Sequence, residues 1–137
     1  MNLLFVCYGN ICRSPMAEGL AKKLLGPGAR VESAGLAAMA SRVSEESILA
    51  MKALFAVDIS GHRPRSVSDV PLDGFDFIIA LDSSIYSRLK EMGRVPQEKL
   101  WGWDIDDPFG QGLAAYLEAA QKIQERLRQF LHSQGIK

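Results

Sequence analysis

The feature that most constrains the fold is a short, uninterrupted apolar run near the N-terminus, Leu3–Val6. A strand with one face in water alternates apolar and polar residues, whereas a strand that is apolar throughout is buried on both faces. Gly9 and Asn10 end the run, and a helix is predicted to follow, with Ser14 as its N-cap and Pro15 at its first position. A doubly buried strand that leads into a helix is typical of a parallel sheet covered by helices.

The rest of the chain alternates between the two kinds of element. Strand patterns occupy residues 30–33, 75–81 and 99–101, and helical patterns occupy residues 44–55, 83–92 and 113–131. In the helix over 44–55, the predicted buried stripe contains Ile48, Leu49 and Met51. We therefore expect an α/β fold, a three-layer sandwich with a central four-stranded parallel sheet. Ligands of such sheets bind outside the carboxyl ends of the strands, so the loop between strand 1 and helix 1 is the expected site.

Length and composition exclude several classes of protein. The 137 residues fit one domain over 1–137, and 47% hydrophobic and 23% charged residues are ordinary for a globular chain. The 16 basic residues balance 16 acidic ones, so no broad cationic surface for nucleic acid is expected. No apolar stretch of about 18 residues is present, so no membrane partner is expected. The N-terminus lacks a signal-peptide pattern and only two cysteines occur, which predicts a cytoplasmic protein with reduced thiols.

The loop after the first strand has the spacing of an anion site. Cys7 ends the strand, five residues follow, and Arg13 precedes the predicted helix. The backbone N–H groups of the intervening residues can form an anion cradle, to which the helix N-terminus adds further donors and partial positive charge. The planar guanidinium of Arg13 matches two oxygens of a phosphate or sulfate. The cradle residues are Tyr8, Gly9, Asn10, Ile11 and Cys12.

The same loop can also supply a nucleophile. Positive charge and unpaired helix donors favour the ionised form of a thiol, so a bound phosphate would face a thiolate at Cys7. A cysteine at a strand end is often only a small buried apolar residue, and Arg13 alone could be a surface charge. The sequence Cys-x5-Arg-Ser directly after a strand favours the functional interpretation. It is not a Walker loop, because no Gly-Lys-Ser/Thr follows.

A second loop, residues 103–110, carries the carboxylates of Asp104, Asp106 and Asp107. Cleavage of a phosphate ester needs a general acid that protonates the leaving oxygen, and one of these residues is the candidate. The plainer alternative is an Asp-Pro turn with solvated acids. A rival interpretation takes Asp104-Ile105-Asp106 as the Asp-x-Asp motif of magnesium-dependent phosphatases. That motif needs a strong apolar strand before it, and residues 100–103 are a poor one.

Together these motifs resemble those of the low-molecular-weight protein tyrosine phosphatases. The match begins with VCYGNICRSP at residues 6–15 and continues in family order with SAG at 33–35, SGHR at 60–63, the strand at 77–82 and DPFG at 107–110. It covers essentially the whole chain. The resemblance implies a four-stranded parallel sheet with helices on both sides. It also implies hydrolysis of phosphotyrosine, or of a small aryl phosphate, without a metal or other cofactor.

The resemblance assigns the catalytic roles. Cys7 is implied to be the nucleophile that forms a phosphocysteine, and Arg13 is implied to bind phosphate and stabilise the transition state. Asp107 is implied to act first as general acid and then as the base that activates water. Ser14 is implied to donate a hydrogen bond to the Cys7 thiolate.

Two further expectations follow from the resemblance. Asn10, Ser33 and His62 match family positions whose side chains hold the loop in shape. Cys12 faces the same loop in the family, where the two thiols can pair under oxidation and shield the nucleophile. A reactive thiolate beside a second thiol is what a redox switch requires, so redox sensitivity through Cys7 and Cys12 is a hypothesis for this chain.

The family pattern also implies which residues contact the substrate, and this chain departs from that pattern at several positions. Met39 stands where many members place an aromatic residue, and Phe109 stands where tyrosine is usual. The common Asp-Pro-Arg is replaced here by residues 44–46, Ser-Glu-Glu. An apolar rim with less aromatic stacking is therefore expected. The predicted substrate-binding residues are Tyr8, Gly9, Asn10, Ile11, Cys12, Met39 and Phe109.

Three alternative functions use the same frame. Thioredoxin-type arsenate reductases relay electrons through a later cysteine pair, and this chain has no cysteine after Cys12. Protein-arginine phosphatases tend to carry threonine at the position of Ile11, whose apolar side chain better suits an aromatic leaving group. A catalytically silent phosphate-binding module would not need Cys7, Arg13 and Asp107 together. We therefore predict a tyrosine phosphatase that acts on phosphotyrosine-containing proteins.

Overall fold

The computed structural model describes residues 1–136, so Lys137, the last residue of the predicted domain, lies outside the described residues. Strands and helices alternate along the described chain, as the sequence pattern predicts. The strands are β1 (Asn2–Cys7), β2 (Arg30–Gly35), β3 (Phe77–Ala80) and β4 (Leu100–Gly102). The helices are α1 (Arg13–Leu25), α2 (Glu45–Phe55), α3 (Ser83–Met92) and α4 (Leu113–Ser133).

The sheet has the strand order β2-β1-β3-β4, and all three pairs are parallel. β1 is an inner strand, and the side chains of Leu3–Val6 are fully buried, as its unbroken apolar run predicts. Leu3 and Phe5 pack into the cluster shared with α1, α2 and α4, whereas Leu4 and Val6 pack against α3 on the opposite face. The predicted three-layer α/β sandwich with a four-stranded parallel sheet is confirmed.

Two local predictions were wrong. The N-cap of α1 is Cys12, not Ser14, and the Ser14 hydroxyl is bonded within the loop instead. Leu49, predicted in the buried stripe of α2, is 46% exposed, because α2 buries a narrower stripe that contains Ile48 and Met51. Both errors arise because a local sequence pattern does not determine which tertiary neighbours a side chain will contact.

Helices cover both faces of the sheet. The longest helix is α4, with 21 residues, and it alternates a buried face with an exposed charged and polar face. Among residues 1–136, no helix has both the length and the apolar composition needed to cross a bilayer.

The end of β2 supports the loop that follows β1. Gly35 pairs with Cys7, and the next amides continue the contact: Leu36 N–H donates to the Cys7 carbonyl at 3.0 Å and Ala37 N–H to the Tyr8 carbonyl at 2.9 Å. A Cβ atom on Gly35 would lie 2.6 Å from the Tyr8 carbonyl oxygen and 2.9 Å from the Asn10 nitrogen. Both of these atoms belong to backbone, which cannot rotate away, so the absence of a side chain at Gly35 permits the close approach of the loop.

We predict that Gly35→Ala displaces the loop and destabilises the protein by about 1–3 kcal/mol, the usual cost of overpacking. The melting temperature and kcat/KM with p-nitrophenyl phosphate measure the two effects. Gly28→Ala is the matched control, because a Cβ atom there meets nothing within 4 Å. Equal behaviour of the two variants would contradict the packing argument.

Candidate active site

A cavity of about 330 Å³ opens at the carboxyl end of β1. It brings together residues from three separate segments: the loop after β1, the segment after β2 and the acidic loop before α4. A larger groove of about 870 Å³ lies between α1 and residues 57–65, but it contains no part of residues 7–13, so volume alone does not identify the site. The smaller cavity is lined by Cys7, Tyr8, Gly9, Ile11, Cys12, Arg13, Ala37, Met39, Ala40, Asp107 and Phe109.

The loop amides are available to a ligand. Among the hydrogen bonds formed within residues 1–136, none has a donor amide between residues 9 and 12. Backbone N–H groups in folded proteins are nearly always paired, so a run of unused donors beside a cavity indicates an anion-binding cradle. This agrees with the cradle that the sequence predicts.

The Cys7 thiol is held by Ser14. The Cys7 Sγ and Ser14 Oγ atoms are 2.8 Å apart, and both residues are buried. The side-chain amide of Asn10 donates to the same Ser14 oxygen at 2.8 Å. Ser14 has a single proton, and its other acceptor, the Ala34 carbonyl, is farther away at 3.5 Å. The Cys7 sulfur is therefore the nearer acceptor for the Ser14 hydroxyl. The role of Ser14 as a donor to a Cys7 thiolate stays a prediction.

Asn10 is fully buried, and its side chain joins a network beneath the loop rather than the cavity. Its Nδ2 group donates to Ser14 Oγ at 2.8 Å and to Ser33 Oγ at 3.0 Å. Its Oδ1 atom accepts from the Arg65 amide at 3.0 Å and lies 3.0 Å from His62 Nε2. Because the Arg65 amide can only donate, Oδ1 is fixed as an acceptor, and His62 Nε2 carries the proton. The predicted supporting residues thus lie in one network.

Glu18 extends this network and was not predicted from the sequence. Ser33 Oγ donates to Glu18 Oε1 at 2.6 Å, and His62 Nδ1 lies 3.5 Å from the same oxygen. Burial lowers the pKa of His62, and the neighbouring Glu18 carboxylate opposes this shift only in part. A helical glutamate facing a turn histidine carries no local sequence signal, which explains the omission.

Arg13 is buried, with 3% exposure, and Asp82 compensates its charge. Arg13 Nη1 donates to Asp82 Oδ2 and to the Ile105 carbonyl, both at 2.7 Å. Both bonds use Nη1, so the Nε–Nη2 edge is left for two oxygens of an anion. Burial alone would raise the pKa of Asp82, but the bonds from Arg13, the Ile85 amide and Ser84 lower it overall.

Asp82 also caps α3, because its Oδ1 accepts the Ile85 amide at 2.9 Å. Its role beside Arg13 was not predicted. The available signal was its position directly after β3, which is the neighbour of β1 in the sheet. Side chains that follow adjacent parallel strands emerge at the same edge.

Among the three acidic residues, only Asp107 lines the cavity. Its Oδ2 atom lies 4.0 Å from Arg13 Nη2, and its Oδ1 atom accepts the Phe109 amide at 3.1 Å. Asp106 lines only a neighbouring cavity of about 80 Å³, which Asp107 also borders, and Asp104 pairs with Arg126 on α4. The rival Asp-x-Asp motif therefore does not converge on one site.

Within residues 1–136, no cluster of three or more His, Cys, Asp or Glu side chains is arranged to hold a metal ion. The expectation of a metal-independent reaction stays a prediction.

Cys12 is a second free thiol beside the cavity. Its Sγ atom lies 3.3 Å from the Tyr116 hydroxyl of α4 and 3.6 Å from Ser44 Oγ. Burial raises the pKa of Cys12, and burial together with the Cys12 contact raises the pKa of Tyr116. Both groups are therefore protonated at neutral pH. The redox hypothesis for Cys7 and Cys12 stays a prediction.

The mouth of the cavity is formed by exposed apolar side chains. Met39 is 92% exposed, and Tyr8 and Phe109 are exposed as well. These residues lie on separate loops around the opening. The apolar rim expected from the sequence is present.

The comparisons with known proteins agree with this geometry. Residues 2–137 match the family model of the low molecular weight phosphotyrosine protein phosphatases. A probable low molecular weight protein-tyrosine-phosphatase, EpsP of Ralstonia nicotianae, is 35% identical over 133 residues, which cover 89% of this chain and 88% of the relative. The chain belongs to the low-molecular-weight protein-tyrosine-phosphatase family and is an enzyme of that class.

Two solved structures of tyrosine phosphatases are similar to this chain over almost its whole length. The low molecular weight protein tyrosine phosphatase of T. tengcongensis is 31% identical with a TM-score of 0.88, and the match covers 97% of this chain and 99% of that one. Wzb of Vibrio vulnificus, solved in complex with benzylphosphonate, is 27% identical with a TM-score of 0.84, and the match covers 96% and 97%.

Relatives with other activities are also similar. A glutaredoxin arsenate reductase of Synechocystis sp. is 33% identical over 129 residues, covering 94% of this chain and 95% of the relative. The YwlE arginine phosphatase from Geobacillus stearothermophilus is 27% identical with a TM-score of 0.84, covering 97% of this chain and 94% of that one. The fold is thus shared by enzymes with different substrates, and the site residues must decide between them.

We predict that Asp82→Asn lowers kcat/KM about tenfold, because an amide has one acceptor oxygen and cannot both cap α3 and accept from the Arg13 guanidinium. Asparagine is also a good N-cap, so α3 should keep its cap, but the unpaired buried charge of Arg13 should lower the melting temperature. Steady-state kinetics with p-nitrophenyl phosphate and a thermal melt separate these effects. Asp58→Asn is the matched control, since Asp58 caps a remote turn through the Ser60 amide. Loss of stability without loss of kcat/KM would assign Asp82 to the helix cap alone.

Proposed function

We propose that the protein hydrolyses phosphotyrosine in protein chains by two in-line displacements through a phosphocysteine at Cys7. In the first step the Cys7 thiolate attacks phosphorus, the bond between phosphorus and the ester oxygen breaks, and Asp107 gives its proton to the departing phenol oxygen. In the second step water transfers a proton to Asp107 and attacks phosphorus. The P–S bond then breaks, which regenerates the Cys7 thiolate and releases inorganic phosphate.

The observation that carries this proposal is the convergence of Cys7, Arg13 and Asp107 on one cavity. The unused loop amides and the free edge of the guanidinium provide donors for the oxygens of a phosphoryl group, and they can stabilise its extra charge in the transition state. The Ser14 hydroxyl stabilises the thiolate both as attacking group and as leaving group. We assign phosphate and sulfate to the same cradle as simple ligands.

The apolar walls favour an aromatic leaving group. Ile11, Met39 and Phe109 surround the opening, and the cavity has room for a phenyl ring above the cradle. The benzylphosphonate bound by the Wzb relative combines a ring with a phosphonate in the same way. We infer a cytoplasmic location, because the proposed Cys7 nucleophile must stay reduced and a reducing compartment keeps thiols in that state.

We predict that Asp107→Asn slows hydrolysis of phenyl phosphate by roughly 10²–10⁴, the usual contribution of a general acid. The loss should be smaller with p-nitrophenyl phosphate, because its leaving group needs less protonation. The measurement is kcat for both esters. Asp106→Asn, one residue away and outside the cavity, is the control. A larger loss in Asp106→Asn would show that Asp107 is the wrong carboxylate.

Arginine phosphatase activity is the second candidate function, because the YwlE structure shares the fold. The apolar side chain of Ile11 at the cavity wall argues against a charged guanidinium leaving group. We expect phosphotyrosine peptides to be hydrolysed with higher kcat/KM than phosphoarginine peptides, and Ile11→Thr to shrink this preference. Preference of the wild-type protein for phosphoarginine would replace our proposal with the second candidate.

A further inference from the structure

We propose that Ser44 and Ser47, at the start of α2, are positioning residues that aim the Cys12 amide at the bound anion by holding the Ile11 carbonyl on the opposite side. This inference rests on the proposed function, since it concerns the same cradle. It gives a role to the segment 44–47, which includes the departure from the family's Asp-Pro-Arg pattern.

Three donors from the N-cap and first turn of α2 surround the carbonyl oxygen of Ile11. The Ser44 amide lies 2.9 Å from it, Ser44 Oγ lies 3.1 Å from it, and Ser47 Oγ lies 3.3 Å from it. The two hydroxyl oxygens are only 2.6 Å apart, so one hydroxyl donates to the other. A carbonyl oxygen has two lone pairs, which the Ser44 amide and the remaining hydroxyl proton fill. The two serines therefore form a hydrogen-bonded chain that ends on Ile11.

The planarity of the peptide bond turns this contact into an orientation of the loop. The Ile11 carbonyl and the Cys12 N–H belong to the same trans peptide unit, in which the two groups point in opposite directions. A carbonyl held toward α2 therefore directs the Cys12 N–H away from α2. A carbonyl rotated into the cradle would instead place a partial negative charge against the anion. Holding this one carbonyl both adds a donor to the cradle and removes a repulsive group.

The use of Ser44 is unusual for its position. Ser44 is the N-cap of α2, yet its side chain makes no capping hydrogen bond within the helix. An N-cap serine ordinarily accepts from an amide of the first helical turn. Here the hydroxyl is directed to the loop, where the helix N-terminus also favours the negative end of the Ile11 carbonyl. Ser44 is thus a residue type that usually caps a helix, but its hydroxyl joins the start of α2 to the loop after β1.

Direct contact with substrate does not explain the arrangement. Ser47 is fully buried, and neither serine lines the cavity. Apart from the longer 3.6 Å contact between Ser44 Oγ and Cys12 Sγ, these hydroxyls reach the cradle through the Ile11–Cys12 peptide.

The test uses the full-length protein with inorganic phosphate as the probe. In Ser44→Ala/Ser47→Ala we expect the inhibition constant for phosphate and the KM for p-nitrophenyl phosphate to rise together, by roughly three- to tenfold, the contribution of one hydrogen bond. The value of kcat at saturating substrate should change less, because the lost interaction is made in both ground and transition states. The single variant Ser44→Thr keeps the hydroxyl and should therefore keep the phosphate affinity of the wild-type protein.

The matched control is Ser133→Ala. Ser133 also donates its hydroxyl to a backbone carbonyl, that of Phe130 at 2.6 Å, but at the far end of α4. We expect this variant to bind phosphate like the wild-type protein. The single variant Ser44→Ala serves in the same assay where the double variant is unstable, since Ser44 is only partly buried.

A ¹⁵N–¹H NMR titration with phosphate reads the orientation directly. In the wild-type protein the amides of residues 9–12 should shift on binding, and in the double variant the Cys12 shift should be selectively reduced. Two results would overturn this inference alone. One is an unchanged Cys12 shift and phosphate affinity in the double variant, and the other is a phosphate affinity of Ser44→Thr as weak as that of Ser44→Ala. Absence of phosphate-induced shifts in the wild-type loop, or full activity of Cys7→Ser, would instead overturn the proposed function.

Discussion

The geometry of the catalytic loop depends on the side-chain amide of Asn10. An amide offers two donor protons and two acceptor lone pairs, and all four are used here, by Ser14, Ser33, Arg65 and His62. Asn10 itself has a φ of 58°, in the left-handed region that asparagine tolerates better than most residues. An aspartate has no donors, and glutamine is longer by one methylene. The loop backbone and the Ser14 hydroxyl are thus fixed by one residue.

The parallel sheet places the other residues that shape the site at the same edge. Ser33 lies near the end of β2, Cys7 ends β1 and Asp82 follows β3, and these three strands are neighbours in the order β2-β1-β3. The Asp82 carboxylate balances a guanidinium that would otherwise be a buried unpaired charge. Because the balance uses one end of the Arg13 fork, the remaining edge stays positioned for an incoming phosphoryl group. The fold thus sets the distances that the chemistry needs.

Features set by neighbouring residues were predicted from the sequence, whereas contacts between residues distant in sequence were missed. The apolar run of β1 and the Cys-x5-Arg spacing were sufficient for the fold class and for the loop. The pairs Arg13–Asp82 and His62–Glu18 join residues whose proximity depends on tertiary packing, and no local pattern encodes it. A serine before proline has the pattern of a helix cap, and this prediction for Ser14 was wrong, whereas its contact with Cys7 was expected only from the family resemblance. The choice of Asp107 among three aspartates came from the family resemblance and not from charge.

The exposed rim has a consequence for how such an enzyme can evolve. Met39 and Phe109 are mostly solvent-exposed and lie outside the buried core. Exchanging such residues therefore costs little folding free energy, whereas exchanging Asn10 or Arg13 disrupts a buried network. Selection can vary the residues that meet the substrate while the machinery beneath them stays constant. A protein whose substrate-contacting residues are separate from its buried residues can acquire new substrates by substitutions at the opening of the cavity. Such substitutions do not require intermediates of low folding stability.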